Sequence, residues 1–100
     1  MIKHIVMWKL KEQAEGADRA ANAREMKRRL DECAHIVPGI LTFEVTLAQP
    51  ELEATYDVVL YSEFSDREAL AAYVQHPTHQ AVVPFIGAIR EARQCMDYQV

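Results

Sequence analysis

The densest cluster of proton-handling side chains lies between Ala72 and Gln80, in the run Ala-Tyr-Val-Gln-His-Pro-Thr-His-Gln. One phenol, Tyr73, and two imidazoles, His76 and His79, are set around Pro77. A neutral imidazole, with an unperturbed pKa near ~6.5, can remove a proton from carbon beside a carbonyl. A phenol can stabilise the resulting oxyanion by donating a hydrogen bond without ionising. The pattern is therefore one that can handle protons, and its chemistry is suggestive before any role is assigned. His4 is the only ionisable group on the even face of the first strand. His76 stands directly before Pro77 and reads as a cap for the following helix.

Each of these residues also has a plain structural reading. A histidine in an apolar strand is commonly a satisfied core residue, and Tyr73 can be a core aromatic. Three imidazoles, His4, His76 and His79, could also hold zinc with one open position. His76 and His79 straddle Pro77, however, and no acidic ligand has an obvious place beside them, so no metal is expected. Nothing in the sequence requires haem or flavin, and no cofactor is expected.

Several elements must position these groups. Ile2 to Lys11 is rich in strand formers and apolar on both faces at its middle, which calls for cover on both sides. From Ala17 to His35 the spacing of Ala23, Met26, Leu30 and Cys33 marks an amphipathic helix, ended by Val37-Pro38-Gly39. Ile40 to Leu47 alternates, with Leu41, Phe43, Val45 and Leu47 on one face. Ala48 to Thr55 is read as a loop, and Tyr56 to Phe64 as the third strand. Ser65-Asp66-Arg67-Glu68 has the form of a capping box with Ser65 as the cap, opening a helix that must stop near Gln75 because Pro77 disfavours helical geometry at His76. Pro77 then begins a second helix reaching about Ile89, which Pro84 should kink or split. Arg90 to Val100 returns to strand alternation, with Arg93, Cys95 and Asp97 on one face.

The order is strand, helix, strand, strand, helix pair, strand. That is the split βαβ arrangement of an α+β, ferredoxin-like βαββαβ subunit: a four-stranded antiparallel sheet with helices on one face. One sheet face is left over. Val6, Trp8, Phe43 and Val59 are read as too apolar for an open surface, so a homodimer closing two sheets into a dimeric α+β barrel is expected.

One hundred residues, half of them hydrophobic, make a single domain spanning 1-100 with one core. A net charge of −4 leaves no basic surplus for nucleic acid or an anionic membrane, and neither partner is expected. Lys27-Arg28-Arg29 reads as a solvated helix face, with Glu25 to Arg29 and Arg28 to Glu32 pairs. The apolar run Ile5 to Trp8 is too short for a signal peptide or a membrane span, and the expected location is cytoplasmic. Cys33 and Cys95 lack metal-type spacing and are expected to be reduced core thiols.

Taken together, Lys3-His4-Ile5-Val6, Val37-Pro38-Gly39-Ile40, Tyr73 to His79 with its His-Pro-x-His motif, and Met96-Asp97-Tyr98 resemble the stress-responsive α/β-barrel (Dabb) family across essentially the whole chain. The resemblance implies a dimeric α+β barrel. Most members of the family have no established activity. A plant member, olivetolic acid cyclase, closes a linear polyketide thioester by aldol condensation without a metal or organic cofactor. By position, its catalytic histidine, tyrosine and second motif histidine match His4, Tyr73 and His79, which implies aldol-type or proton-transfer chemistry on a small carbonyl compound with His79 as the base, Tyr73 as the donor and His4 fixing a substrate oxygen. Leu30 stands near where that enzyme carries a further pocket tyrosine, a departure that bears on the substrate. Two other readings stand beside catalysis: a non-catalytic module binding a small ligand, and a structural stress-response dimer whose cavity is filled by Trp8, Phe43 and their neighbours.

Overall fold

The computed structural model describes residues 1–100. In chain order the elements are β1 (Ile2–Leu10), β2 (Gln13–Ala14), β3 (Ala17–Asp18), α1 (Arg19–Asp31), β4 (Ile40–Leu47), β5 (Val58–Phe64), α2 (Arg67–Gln75), α3 (Pro77–Ile89) and β6 (Arg90–Gln99). β1, β4, β5 and β6 form one antiparallel sheet in the order β4-β5-β1-β6. This is the expected α+β, ferredoxin-like subunit. No helix is long and apolar enough to cross a membrane.

The core lies between the sheet and the helices. β1 contributes Ile2, Val6, Trp8 and Leu10, and β5 contributes Val58, Leu60 and Phe64. They meet Met26 and Leu30 of α1, Tyr73 of α2, and Val82, Ile86 and Ile89 of α3, all buried. Fully burying one side chain of this size contributes about 1.5–3 kcal/mol before the entropy of ordering it is subtracted. The register sets His4 opposite Ser62, Val6 opposite Leu60 and Trp8 opposite Val58, so the even residues of β1 face the helices.

That register corrects the sequence reading of the open face. Val6, Trp8 and Phe43 lie on the helix side of the sheet, and of the four residues named only Val59 faces away. The apolar residues of the open face are Ile5, Met7, Val59, Tyr61 and Met96, with Met7 and Met96 exposed. In β4 a register shift between Ile40 and Thr42 removes Leu41 from the alternation, and Leu41 is exposed.

The element ends show further local differences. α1 starts two residues later than expected because the chain first makes the β2–β3 hairpin, turning through Glu15 and Gly16 at positive φ, and it ends four residues early, where the amides of Cys33, Ala34 and Ile36 turn back to carbonyls three residues before them. Asp18 then caps α1 by accepting from the Ala21 amide at 2.9 Å. α2 is capped by Asp66, which accepts from the Ala69 amide at 2.8 Å, and not by Ser65. The Ser65 amide donates to the Gly39 carbonyl, which holds Ser65 with the sheet and delays the helix by one residue. Gly39 has φ +92°, and an added Cβ would lie 2.7 Å from the Ser65 hydroxyl oxygen and 2.8 Å from the Ala69 Cβ, so only glycine fits this turn.

α3 runs without a break through Pro84. Pro84 and Gln80, whose carbonyl loses its helical donor there, are both exposed, so water can serve that carbonyl. On α1 the Glu25–Arg29 and Arg28–Glu32 pairs form as expected, and Arg29 also lies 3.9 Å from the centre of the Phe85 ring on α3. Cys33 is buried as expected. Cys95 is exposed, because β6 is an edge strand with little cover.

Candidate functional site

His4, Tyr73 and His79 line one cavity of about 290 Å³ between the sheet and the helices, together with Val6, Trp8, Leu60, Leu30, Val83, Ile86 and Gly87, and with Arg90 and Arg93. The Tyr73 and His79 ring centres are 4.7 Å apart, and those of His4 and Tyr73 6.3 Å. The sequence motif is thus one wall of this space, and β1 supplies another.

The helix break is what places Tyr73 beside His79. α2 ends at Gln75, and His76 takes an extended conformation that caps both helices. Its Nδ1 accepts from the Thr78 amide at 3.1 Å and Pro77 occupies the first position of α3, so His76 serves the turn, as its position before the proline implies. No group of three or more histidine, cysteine, aspartate or glutamate side chains is arranged to hold a metal ion. One turn further on, His79 Nδ1 donates to the Val74 carbonyl at 2.9 Å. A carbonyl only accepts, so Nδ1 carries the proton and the neutral ring keeps its lone pair on Nε2. Burial is the main cause that lowers the His79 pKa below its ordinary 6.5, with smaller contributions of the same sign from His4 and Arg93 and opposition from the Val74 hydrogen bond. His79 is therefore a neutral base at pH 7.

Tyr73 is fully buried, at 0% exposure, and packs edge-on to tilted against Phe43 and Phe64. Its hydroxyl has no hydrogen-bond partner in the protein. Burial, with a smaller repulsion from Cys33, raises its pKa well above the ordinary 10, so it stays a protonated donor. A buried hydroxyl without a partner costs about 1–3 kcal/mol, and Tyr73 is one of the residues that line the cavity.

His4 is 8% exposed and lies on the helix side of β1. Its Nδ1 donates to the Asp97 carboxylate at 2.5 Å, and its backbone carbonyl accepts from Ser62 Oγ at 2.8 Å. Asp97 fixes the orientation of the ring and leaves Nε2 free of protein partners.

Asp97, Arg90 and Arg93 were given no role by the sequence reading. The signal for Asp97 was available in the strand order. β1 and β6 pair end to end, so residues nearly equidistant from the two termini meet, His4 with Asp97 and Trp8 with Arg93. The two arginines reach the cavity because β6 starts directly after α3 at its mouth.

The model of the stress-responsive A/B barrel domain matches residues 2–100. No curated protein matches. Among solved structures, the chain is similar to a dimeric protein of unknown function with a ferredoxin-like fold from Bacteroides fragilis NCTC 9343, at 28% identity, covering 99% of this chain and 95% of that one, TM-score 0.82. A Dabb family protein with a ferredoxin-like fold from Mesorhizobium loti MAFF303099 is 24% identical over 99% and 95% of the two chains, TM-score 0.73. An antibiotic biosynthesis monooxygenase is 18% identical over 100% and 98%, TM-score 0.74, a likeness of fold alone.

Proposed function

Since the chain belongs to the stress-responsive A/B barrel domain family, we propose that it is a small homodimeric member whose cavity carries out cofactor-independent proton transfer, of the kind that opens an aldol closure, on a small carbonyl compound. The observation that carries this reading is that Tyr73, whose buried hydroxyl has no partner, lines one cavity with the neutral His79 and packs against it. His79 Nε2 takes the proton from carbon beside the carbonyl. Tyr73 Oη donates to the oxygen on which negative charge develops. His4, held by Asp97, fixes the substrate from the opposite wall.

The dimer forms through the open sheet face, where Ile5, Met7, Val59, Tyr61 and Met96 present an apolar surface that a second copy would cover. The dimeric relative from Bacteroides fragilis supports this assembly. Two unpaired thiols, Cys33 and Cys95, favour a reducing, cytoplasmic setting.

The test needs no knowledge of the complete reaction. The protein is incubated in D2O with simple ketones and oxo acids, and loss of the α-proton signal is followed by NMR. His79→Ala is expected to slow exchange by about 10²–10⁴-fold while the dimer persists. Equal exchange by the two proteins removes His79 from the mechanism. Saturable ligand binding with no protein-dependent exchange makes the cavity a non-catalytic binding module.

A further inference from the structure

The cavity carries two cations at its mouth that its proton chemistry does not use. Arg90 and Arg93 both line it, at the start of β6, which follows α3 directly. Neither forms a salt bridge, although the chain carries fifteen acidic residues and five other basic residues are paired with carboxylates. The Arg90 side chain makes no hydrogen bond within the protein, and the one made by Arg93 goes to the Cys95 sulfur at 3.3 Å, a weak acceptor. The contrast with Arg28 and Arg29 on α1, each bound to carboxylate oxygens, is direct.

A second observation, independent of the arginines, points to a ligand here: Tyr73 also lines this cavity, and its buried hydroxyl is the one buried side-chain polar atom of the protein without a partner. A molecule that satisfies both ends must bring an acceptor oxygen to the Tyr73 hydroxyl and an anionic group to the rim. Between them the cavity is lined by Val6, Trp8, Leu60 and Ile86. Guanidinium groups match planar carboxylates by paired hydrogen bonds, and the volume of about 290 Å³ is at the small end of the ~300–1,000 Å³ usual for small-molecule sites.

Resting on the proton-transfer reading above, we propose that the substrate is a small oxo-carboxylic acid, its carboxylate held by Arg90 and Arg93 at the cavity mouth and its carbonyl oxygen by the Tyr73 hydroxyl. The carboxylate fixes which carbon faces His79. The net charge of −4 disfavours anions elsewhere on the surface, so selectivity for an acid has to come from this local pair.

Trp8 is the sole tryptophan and lines the cavity, so its fluorescence reports occupancy. The probes are a panel of 2-, 3- and 4-oxo carboxylates, the methyl ester of each, acetate and inorganic phosphate. The acids of the best-bound length are expected to bind at least about tenfold more tightly than their esters. The Arg90→Gln, Arg93→Gln double variant should lose that preference because it weakens the acids far more than the esters. Equal binding of acid and ester, a preference that survives the double variant, or no saturation by any member of the panel overturns the proposal. Saturation by phosphate alone with the same arginine dependence also overturns it and assigns the rim to phosphate compounds. The proton-transfer reading fails separately: acid preference that depends on the arginines, with α-proton exchange unaffected by His79→Ala, keeps the carboxylate site and removes the base.

Discussion

The outward face of α1 and the wall of the cavity treat polar groups in opposite ways. On α1, Glu25 accepts from both Arg28 and Arg29, Arg28 also reaches Glu32, and Lys27 reaches Asp31, so each of these charged heads has a partner in a place where water could have served instead. Among the residues lining the cavity, the Tyr73 hydroxyl, the Nε2 atoms of His4 and His79, and the Arg90 guanidinium have no protein partner, and the Tyr73 hydroxyl is also closed to water. Solvated ion pairs contribute little to stability, whereas a buried polar group without a partner costs it. The buried polar side chains Asn22 and Ser62 are hydrogen-bonded as well, so the one buried side-chain atom the fold leaves without a partner is the Tyr73 hydroxyl, on a residue that lines the cavity. A group left unpartnered in this way is consistent with the proposed site, whose ligand would supply the missing partner.

The sharpest way to break this comparison is Tyr73→Phe, for which stability and function are expected to move in opposite directions. Removing the unpartnered oxygen while keeping the ring against Phe43 and Phe64 should stabilise the fold by about 1 kcal/mol in urea unfolding. The same change should lower protein-dependent α-proton exchange by about 10²–10³-fold, the usual loss for one donor to a developing oxyanion. If Tyr73→Phe instead destabilises the protein by more than 1 kcal/mol, the hydroxyl has a structural partner and the contrast with α1 disappears.

A smaller effect is expected from pH. A base must be unprotonated to act, and burial already keeps His79 neutral below the ordinary value of 6.5, so the acid limb of the exchange rate should have its midpoint below pH 6.5. Burial raises Tyr73, the donor, above 10, so the alkaline limb should fall above pH 10. Stability follows the same sign. The unfolded chain binds the His79 proton near pH 6.5 while the folded one resists it, so the protein should lose stability as pH falls from about 6.5 through the lower folded value. His79→Gln should flatten that part of the stability curve. An NMR titration of the His79 ring with a midpoint at or above 6.5 contradicts the burial that defines the site.

The sequence made the helix break and the order of elements legible because both have local causes. Pro77 acts on His76, and the apolar spacing of α1 and the alternation of β4 and β6 need no knowledge of their neighbours. Which face of the sheet is the core did not have a local cause. β1 is apolar on both sides in its middle, and only pairing with β5 and β6 shows that Val6 and Trp8 face the helices while Ile5 and Met7 face away. The bulge that exposes Leu41 and the choice of Asp66 over Ser65 as cap are settled by contacts across the sheet. The site divides in the same way. Tyr73, His76 and His79 belong to one short run, whereas Asp97, Arg90 and Arg93 become site residues only when β6 is laid beside β1.

The smallest effect is expected on α1, and it tests the other half of the comparison. Hydrogen bonds from Arg28 and then Arg29 pull the Glu25 carboxyl from its ordinary 4.5 down to about 2, which in a buried setting would signal a large contribution to stability. Water competes for these groups here, and Arg28 is more than half exposed. Arg29 also retains the Phe85 ring, against which it lies at 3.9 Å whether or not Glu25 is charged. Glu25→Gln should therefore shift the urea midpoint by less than Tyr73→Phe does and in the opposite direction, and the shift should shrink further in 1 M salt as the pairs are screened. A salt-insensitive loss larger than the Tyr73→Phe gain would mean that the α1 network holds the helix against α3, and the surface would then be the stabilising region of the two.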